Sequence, residues 1–170
     1  MKYLFLVLIV VGVVAVLISL AKAKRGGLGA DIYRKQDELF TAAELRFLLA
    51  LDQAVAPGQR VLGKVRVADV VSVRPGLNPK ARQIAINRVA QKHFDFVVCS
   101  GPSLVPVCAI ELNDSSHNSS SAKRRDEFLS SVCAQIGLPL LVVRAAGSYA
   151  PEAVRQQISA ATQSEKKGSA

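Results

Sequence analysis

The chain has 170 residues, half of them apolar, and a formal net charge of +9. That apolar fraction excludes a wholly disordered protein, and the length allows one domain of ordinary size. With no Trp, one Met and 5% aromatic residues, its core must be largely aliphatic. Composition therefore predicts a single basic domain, and its function has to be sought in motifs.

An uncharged apolar run over residues 3–21 is the first feature along the chain. A helix of that length spans roughly 28 Å, close to the hydrocarbon thickness of a bilayer. Lys22, Lys24 and Arg25 follow the run, whereas Lys2 alone precedes it. Because basic residues mark the cytoplasmic side, the pattern predicts a single-pass anchor in the inner membrane, with the lipid bilayer as a partner and the soluble domain facing the cytoplasm.

A cleaved signal peptide is the alternative interpretation of the same segment. Residues 21–23 (Ala-Lys-Ala) have the small-x-small pattern of a cleavage site, and cleavage at Ala23 would give a secreted or periplasmic protein. The apolar run is longer than a signal peptide usually has, and the basic cluster on its far side disfavours export. The uncleaved anchor is therefore the preferred interpretation.

Cysteine usage agrees with a reducing compartment. Cys99, Cys108 and Cys133 are odd in number, lie in apolar contexts and show no zinc-ligand spacing. A free thiol in such a context packs as a small hydrophobic side chain. We expect all three to be core residues.

A helix follows a flexible, glycine-rich stretch. Thr41 has the position of an N-cap, and Glu44, three residues later, completes a capping box. Pro57-Gly58 ends this helix. Its apolar face is predicted to carry Leu45, Leu48, Leu49 and Leu51.

The middle of the chain is predicted to hold a strand, a loop and a second helix. Residues 60–67 alternate basic and apolar side chains over their second half, as a half-buried strand does. Residues 74–80 contain two Pro and one Gly and are predicted to form a loop. The helix then covers residues 81–92, and its inward face is predicted to carry Ile84, Ile86 and Val89.

The second half of the chain supplies three more strands. Two strand candidates, 93–99 and 104–111, are separated by a short Ser/Gly/Pro segment, and a polar loop then leads to a helix over 122–135. A final buried strand covers 138–143, and Pro151 opens a terminal helix. This order predicts an α/β fold with a mixed central sheet flanked by helices.

These elements also set the predicted domain boundaries. Residues 1–21 form the anchor, and residues 22–37 form a basic, glycine-rich tether. Residues 38–160 form the α/β domain, and residues 161–170, rich in Lys and Ser, form a disordered tail. No repeat is visible in the sequence.

Two acidic residues stand out against the apolar strand pattern. Asp95 lies near the start of one strand, and Glu111 closes the next. If these strands form a hairpin, both carboxylates lie at the same end of the sheet. Paired carboxylates hold hard divalent cations such as Mg²⁺ through oxygen atoms, and the carbonyl of Leu112 is a candidate third ligand. A metal so held lowers the pKa of bound water and neutralises charge on a phosphoryl group.

The chain from about residue 44 to 143 resembles a bacterial family, domain of unknown function 2726, which is placed within the PD-(D/E)XK, restriction-endonuclease-like superfamily. The matching segments include Lys92 to Cys99 (KHFDFVVC) and Ala109 to His117 (AIELNDSSH). Further matches are Lys64 to Asp69 (KVRVAD), Arg125 to Leu129 (RDEFL) and Gly137 to Leu141 (GLPLL). The resemblance implies a restriction-endonuclease-like fold for the soluble part.

The resemblance also implies roles for single residues. Asp95 and Glu111 correspond to the two acidic metal ligands, and Glu44 to an accessory acid on the first helix. The superfamily lysine falls on Asn113, where this family generally has Asp. A neutral amide cannot act as a base, although its carbonyl oxygen can reach a metal or its amide a phosphate. The candidates for proton transfer are then His117 and Asp126.

A basic segment adds candidate phosphate contacts. Residues 60–92 contain eight basic residues and one acidic residue, a local net charge of +7. Such a patch suits DNA, RNA or the anionic inner leaflet, and a solvated surface that only keeps the protein soluble is an equal alternative. The candidate nucleic-acid contacts are Lys64, Arg66, Arg82, Arg88, Lys92, Lys123, Arg124 and Arg125.

Each acidic residue also has a purely structural interpretation. Glu111 could pair with Arg125 as a salt bridge, and the capping box alone explains Glu44. Asp126 suits the first turn of its helix through the macrodipole. The hypothesis therefore depends on the joint order of these residues.

The sequence predicts a membrane-anchored nuclease-like domain that hydrolyses phosphodiester bonds in DNA, with RNA less favoured. Its cofactor would be Mg²⁺ or Mn²⁺, and no small-molecule cofactor is expected. The alternative is a catalytically inactive nucleic-acid-binding or membrane scaffold module of the same fold, for which Asn113 is the main argument.

Overall fold

The computed structural model describes residues 2–24, 32–113 and 120–168. It divides into two compact units, Met1–Leu39 and Phe40–Ala170. The first unit contains helix α1 (Lys2–Lys24). His117, one of the predicted proton-transfer residues, lies outside the described residues.

The N-terminal prediction needs correction. The apolar run does form a helix, but no helix within 2–24, 32–113 or 120–168 combines the length and apolar character that crossing a membrane requires. This finding contradicts the predicted transmembrane anchor and the predicted single-pass location in the inner membrane.

The second unit is built on a sheet of four strands. The strands are β1 (Gln59–Arg66), β2 (His93–Ser100), β3 (Val105–Asn113) and β4 (Leu140–Arg144), and they lie in chain order across the sheet. β2 is antiparallel to both β1 and β3, whereas β3 and β4 are parallel. The predicted α/β architecture with a mixed sheet is thus confirmed.

Helices cover both faces of this sheet. They are α2 (Ala42–Ala54), α3 (Val67–Val70), α4 (Pro79–Ala90), α5 (Ser120–Ile136) and α6 (Pro151–Gly168). One core cluster joins α2 and α6 to one face through Phe47, Phe96, Ile110 and Ile158. The other cluster joins α3, α4 and α5 to the opposite face and includes the buried Leu129. Because α5 connects two parallel strands, β3, α5 and β4 form a crossover unit.

The starts of α2 and α4 are set by capping residues, of which the sequence analysis predicted those of α2. Thr41 and Glu44 form the predicted capping box at the start of α2. α4 begins at Pro79, two residues before its predicted start, because Asn78 caps it by accepting a hydrogen bond from the backbone N–H of Ala81 at 2.8 Å. α6 runs through the predicted tail as far as Gly168.

The predicted inward faces of two helices are partly wrong. Leu45 and Leu49 of α2 are exposed, and the helix buries Phe47, Ala50, Leu51 and Ala54. Ile84 of α4 is exposed as well, while Val89 is buried as expected. The three cysteines are buried, as predicted.

Candidate active site

Asp95 and Glu111 lie side by side on neighbouring strands. Phe96 of β2 is paired with Ile110 of β3 in an antiparallel ladder, so the next pair in this register is Asp95 and Glu111. Both strands have fully buried residues immediately beside these positions, which fixes their register. The β2–β3 hairpin therefore brings the two carboxylates together at one end of the sheet.

Glu111 is a buried acid, and only one of its two carboxylate oxygens has a hydrogen-bond partner among the described residues. Only 5% of the residue is exposed. Its Oε2 lies 3.4 Å from Nη2 of Arg125 on α5, so the structural salt bridge is present. Its Oε1, however, is buried without a hydrogen-bond partner in the described part of the chain. An unpartnered buried oxygen of this kind is costly and calls for an explanation.

Burial raises the pKa of both carboxylates. Burial, followed by the charge of Asp95, raises the pKa of Glu111 to about 8, against the opposing effect of Arg125. Burial also raises the pKa of Asp95, with a smaller contribution from the charge of Glu44. Without a cation the site therefore favours retention of a proton near neutral pH.

Asp95 is oriented by the backbone of the neighbouring strand. The N–H of Leu112 donates a hydrogen bond to Oδ2 of Asp95 at 2.7 Å. This hydrogen bond fixes the direction of the Asp95 carboxylate. It engages the N–H of Leu112 and not its carbonyl oxygen, so the carbonyl as a third metal ligand stays a prediction.

A small cavity of about 20 Å³ lies beside Glu111. Asn113, Arg125 and Asp126 contribute to its lining, and Oδ1 of Asp126 lies 3.4 Å from Nε of Arg125. This volume is enough for about one water-sized probe. The structure thus brings Asn113 and Asp126 to Glu111, at a cavity that fits a single ion or water and excludes a nucleotide.

Glu44 is predicted from the resemblance to be an accessory acid at the metal site. In the structure its carboxylate contacts other protein groups. Its Oε2 accepts a hydrogen bond from the backbone N–H of Thr41 at 2.8 Å, and its Oε1 lies 2.6 Å from Nζ of Lys64. Burial acts to raise the pKa of Glu44, but Lys64 and Thr41 outweigh burial and leave that pKa lowered. Both oxygens of this carboxylate are engaged by the protein.

The donor set fits a weakly chelated hard cation. A divalent ion would offset the repulsion between the carboxylates of Asp95 and Glu111 and give the buried Oε1 a partner. Mg²⁺ is commonly held by one or two carboxylates, with waters and substrate phosphates completing its shell. Within the described residues no group of three or more His, Cys, Asp or Glu side chains could hold a metal ion. Among the His, Cys, Asp and Glu side chains of this part, the site thus offers the two carboxylates of Asp95 and Glu111.

The basic residues that are predicted to contact phosphate differ in whether other side chains already engage their charged groups. The guanidinium of Arg66 is engaged by Asp69 through two hydrogen bonds of 2.9 and 2.7 Å. Arg88 and Lys92 both lie over the ring of Phe128, each 4.9 Å from its centroid. The remaining predicted contacts on helices are exposed side chains, namely Arg82, Lys123 and Arg124.

Sequence reasoning missed the arrangement around Lys64. Lys64 has a positive φ of 55°, although it is not a glycine and lies within a strand. No pattern in the sequence signals this conformation. Its pairing with Glu44 depends on how α2 packs against β1. The two residues lie on different elements, twenty positions apart along the chain, so local sequence patterns do not reveal the contact.

The fold and the site define a three-layer α/β/α domain with a carboxylate pair at one end of its sheet, one member buried and the other half-buried, and basic side chains nearby. The chain belongs to the family described as protein of unknown function (DUF2726), whose sequence profile matches residues 36–162. This match confirms the family that the strand motifs indicated. Neither the curated proteins nor the solved structures include a match to this chain.

Proposed function

We propose that residues 40–170 form a restriction-endonuclease-like domain that hydrolyses phosphodiester bonds in DNA with Mg²⁺ or Mn²⁺. RNA is the less favoured substrate. The observation that carries this proposal is the Asp95–Glu111 pair, in which Oε1 of Glu111 is buried without a partner among the described residues. A site that places like charges together and leaves an oxygen unsatisfied is stabilised by a divalent cation.

The residues around the pair take separate roles in this proposal. Asp95 and Glu111 would hold the cation, which supplies activation of water and neutralisation of phosphate charge. Leu112 keeps the Asp95 carboxylate in position through its backbone N–H. Asp126, at the small cavity beside Glu111, is placed to exchange a proton with water there.

The exposed basic residues support a polyanionic substrate. The 20 Å³ cavity admits no nucleotide, so the substrate must lie across the surface above the pair. Arg82, Lys123 and Arg124 are exposed and can bind phosphates of the backbone. Such contacts are independent of base sequence and give affinity that falls with salt.

A second candidate function is binding of nucleic acid without catalysis. It is favoured by the absence of a three-residue ligand group within the described ranges and by the neutral Asn113 at the position of the superfamily lysine. Such a module would bind DNA in a salt-dependent manner and would need no metal. Metal dependence therefore separates the two candidates.

The test is a cleavage assay with the full chain on linear and supercoiled DNA, with Mg²⁺, Mn²⁺ or EDTA. Glu111→Gln and Asp95→Asn remove one carboxylate charge each with little change in volume. Glu127→Gln is the matched control, because Glu127 is an exposed acid on α5 beside Asp126. We expect metal-dependent cleavage by the wild type and the control, with a loss of at least about 100-fold in the two site variants.

The outcomes separate the candidates. Cleavage that persists in Glu111→Gln would place the activity elsewhere or in a contaminant. Salt-sensitive binding without cleavage in any metal would support the non-catalytic candidate. Absence of both cleavage and binding would overturn both candidates.

A further inference from the structure

Lys64 adopts a backbone conformation that L-residues avoid. Its φ of 55° lies in the left-handed region. Lys64 nevertheless lies within β1, where residues normally have an extended backbone. A conformation of this kind persists only when surrounding contacts enforce it, and such residues cluster at functional sites. The contacts of Lys64 therefore indicate which function this backbone conformation serves.

The register places Lys64 beside the carboxylate pair. Gly63 of β1 is paired with Phe96 and Val65 with Phe94, so the residue opposite Lys64 on β2 is Asp95. Arg125 on α5 reaches the other carboxylate of the pair, with its Nη2 3.4 Å from Oε2 of Glu111. The carboxylate pair is thus flanked by cations from β1 and from α5.

The packing around Gly63 directs the lysine side chain. The ring of Phe40 occupies the space that a Cβ on Gly63 would need, and it stacks on Phe96 at 5.7 Å between centroids. The ammonium of Lys64 lies 5.7 Å from the centre of the same ring and 2.6 Å from Oε1 of Glu44. Glu44 is itself fixed by the capping box at the start of α2. Lys64 is therefore held from two sides.

The two cations beside the carboxylate pair differ in the number of carboxylates with which they form ion pairs. Arg125 is shared between Glu111 and Asp126. Lys64 uses one contact to Glu44, and 35% of its side chain is still exposed. An ammonium group has three donors in all, so two have no partner among the described residues and can reach an anion that arrives from solvent.

We propose that Lys64 contacts the substrate phosphate at the carboxylate site and that Glu44 is its positioning residue rather than a metal ligand. The proposal rests on the proposed function and names a substrate contact for the same site. Two carboxylates repel an anionic phosphodiester, and Asn113 carries no charge to offset them. Lys64 supplies that charge from β1.

The experiment compares Lys64→Met, Lys64→Arg and Glu44→Gln with the wild type in the full chain. Lys35→Met is the matched control, because Lys35 is an exposed lysine outside the basic segment of residues 60–92. Three readouts are taken: DNA cleavage in Mn²⁺, duplex DNA affinity in Ca²⁺, and Mn²⁺ affinity from the free-ion EPR signal.

We expect Lys64→Met to lose about 10- to 100-fold in cleavage, the effect of one charged hydrogen bond, with Mn²⁺ affinity unchanged within twofold. Lys64→Arg keeps the charge and should recover part of the loss. Glu44→Gln can still accept a hydrogen bond from Lys64 and should lose less than Lys64→Met. Lys35→Met should match the wild type.

The three readouts keep this proposal distinct from the proposed function. If the wild type cleaves DNA and Lys64→Met cleaves equally well, the role of Lys64 is overturned and the nuclease function stands. If the wild type binds but never cleaves, and Lys64→Met still binds at least about 10-fold more weakly, hydrolysis fails and the phosphate contact stands. Loss of Mn²⁺ affinity in Lys64→Met, or a wild type that neither binds nor cleaves, would overturn the Lys64 role.

Discussion

The carboxyl group of Glu111 links the chemistry of the site to the stability of the fold. In the unfolded chain it titrates near the ordinary value of 4.5, whereas in the folded protein burial and Asp95 raise its pKa to about 8. Between these values the folded protein binds more protons than the unfolded chain does. The free energy of unfolding must therefore fall as pH rises from about 5 to about 8.

We expect Glu111→Gln to remove most of this dependence. The amide keeps the size of the side chain and carries no charge, so the variant should be more stable than the wild type at pH 8 in EDTA. One pKa unit corresponds to about 1.4 kcal/mol, and the shift from 4.5 to about 8 exceeds three units, so the gain at pH 8 is on the order of 4 kcal/mol. Urea denaturation at pH 5, 6.5 and 8 measures it.

Glu127→Gln serves as the control for this stability prediction, because Glu127 is exposed on α5. It should leave the pH dependence of the wild type unchanged. A wild-type stability that is flat over this pH range, or that rises with pH, would contradict the burial of an ionisable Glu111. Saturating Mg²⁺ should reduce the difference between wild type and Glu111→Gln, since it stabilises the ionised pair.

At the level of elements, Gly63 and Phe40 join β1 to the start of α2. A Cβ at position 63 would overlap the ring of Phe40, which is stacked on Phe96 and therefore has little room to move. Gly63→Ala should reduce the free energy of unfolding by about 1–3 kcal/mol, as overpacking does. Chemical denaturation checks this value.

A matched glycine separates this effect from the general consequence of replacing glycine. Gly147 has open space around the position of a Cβ and no positive φ, so Gly147→Ala should change stability by less than about 0.5 kcal/mol. In the Phe40→Ala background, Gly63→Ala should be nearly neutral, because the overlapping ring is gone. An equal effect of Gly63→Ala in both backgrounds would show that this contact is not responsible.

The hairpin that carries the carboxylates could be predicted because its signals are local. The strands predicted over 93–99 and 104–111 are β2 and β3, with boundaries shifted by two residues at most. Apolar runs with an acid at one end, separated by a short Gly/Pro turn, specify a hairpin without help from the remainder of the chain. The placement of Asp95 next to Glu111 followed from that hairpin.

The inward face of α2 could not be predicted in the same way. The helix carries leucines on several sides, so spacing alone allowed Leu45 and Leu49 to be placed inward. The structure buries Phe47 instead, and its ring packs against Phe96 at 5.6 Å between centroids. The choice between two apolar stripes is made by the sheet, which is tertiary information.

The conformation and contacts of Lys64 at the site could not be predicted from the sequence either. Its conformation depends on how Phe40 fills the space above Gly63, and its charge is held by Glu44 on another element. Local propensity contains neither contact. Sequence analysis therefore identified Lys64 as one basic residue among eight in its segment and could not distinguish it from the others.

Across the whole molecule, the net charge of +9 is distributed over cations that differ in availability. Arg66 has its guanidinium engaged by Asp69, whose pKa is lowered by the same hydrogen bonds. Arg82 is exposed on α4 with no ion pair recorded in the described ranges. Formal charge alone would give these two residues equal weight in binding DNA.

Salt dependence of DNA affinity can separate the contributions of these cations, because each phosphate contact adds about 0.9 to the slope of log K against log salt concentration. Arg82→Gln should reduce the magnitude of that slope by nearly this amount if Arg82 contacts a phosphate. Arg66→Gln should reduce it by much less, since Asp69 already holds its donors. Fluorescence anisotropy between about 50 and 200 mM salt measures both.

Asp69→Asn completes the comparison because it releases Arg66 without adding a basic residue. The variant should bind DNA with a steeper salt dependence than the wild type, as the freed guanidinium becomes available to a phosphate. Equal slopes for Arg66→Gln and Arg82→Gln would mean that net charge alone determines affinity, because each of these two variants loses one positive charge. The ion pairs on the surface would then have no part in selecting where the DNA backbone lies.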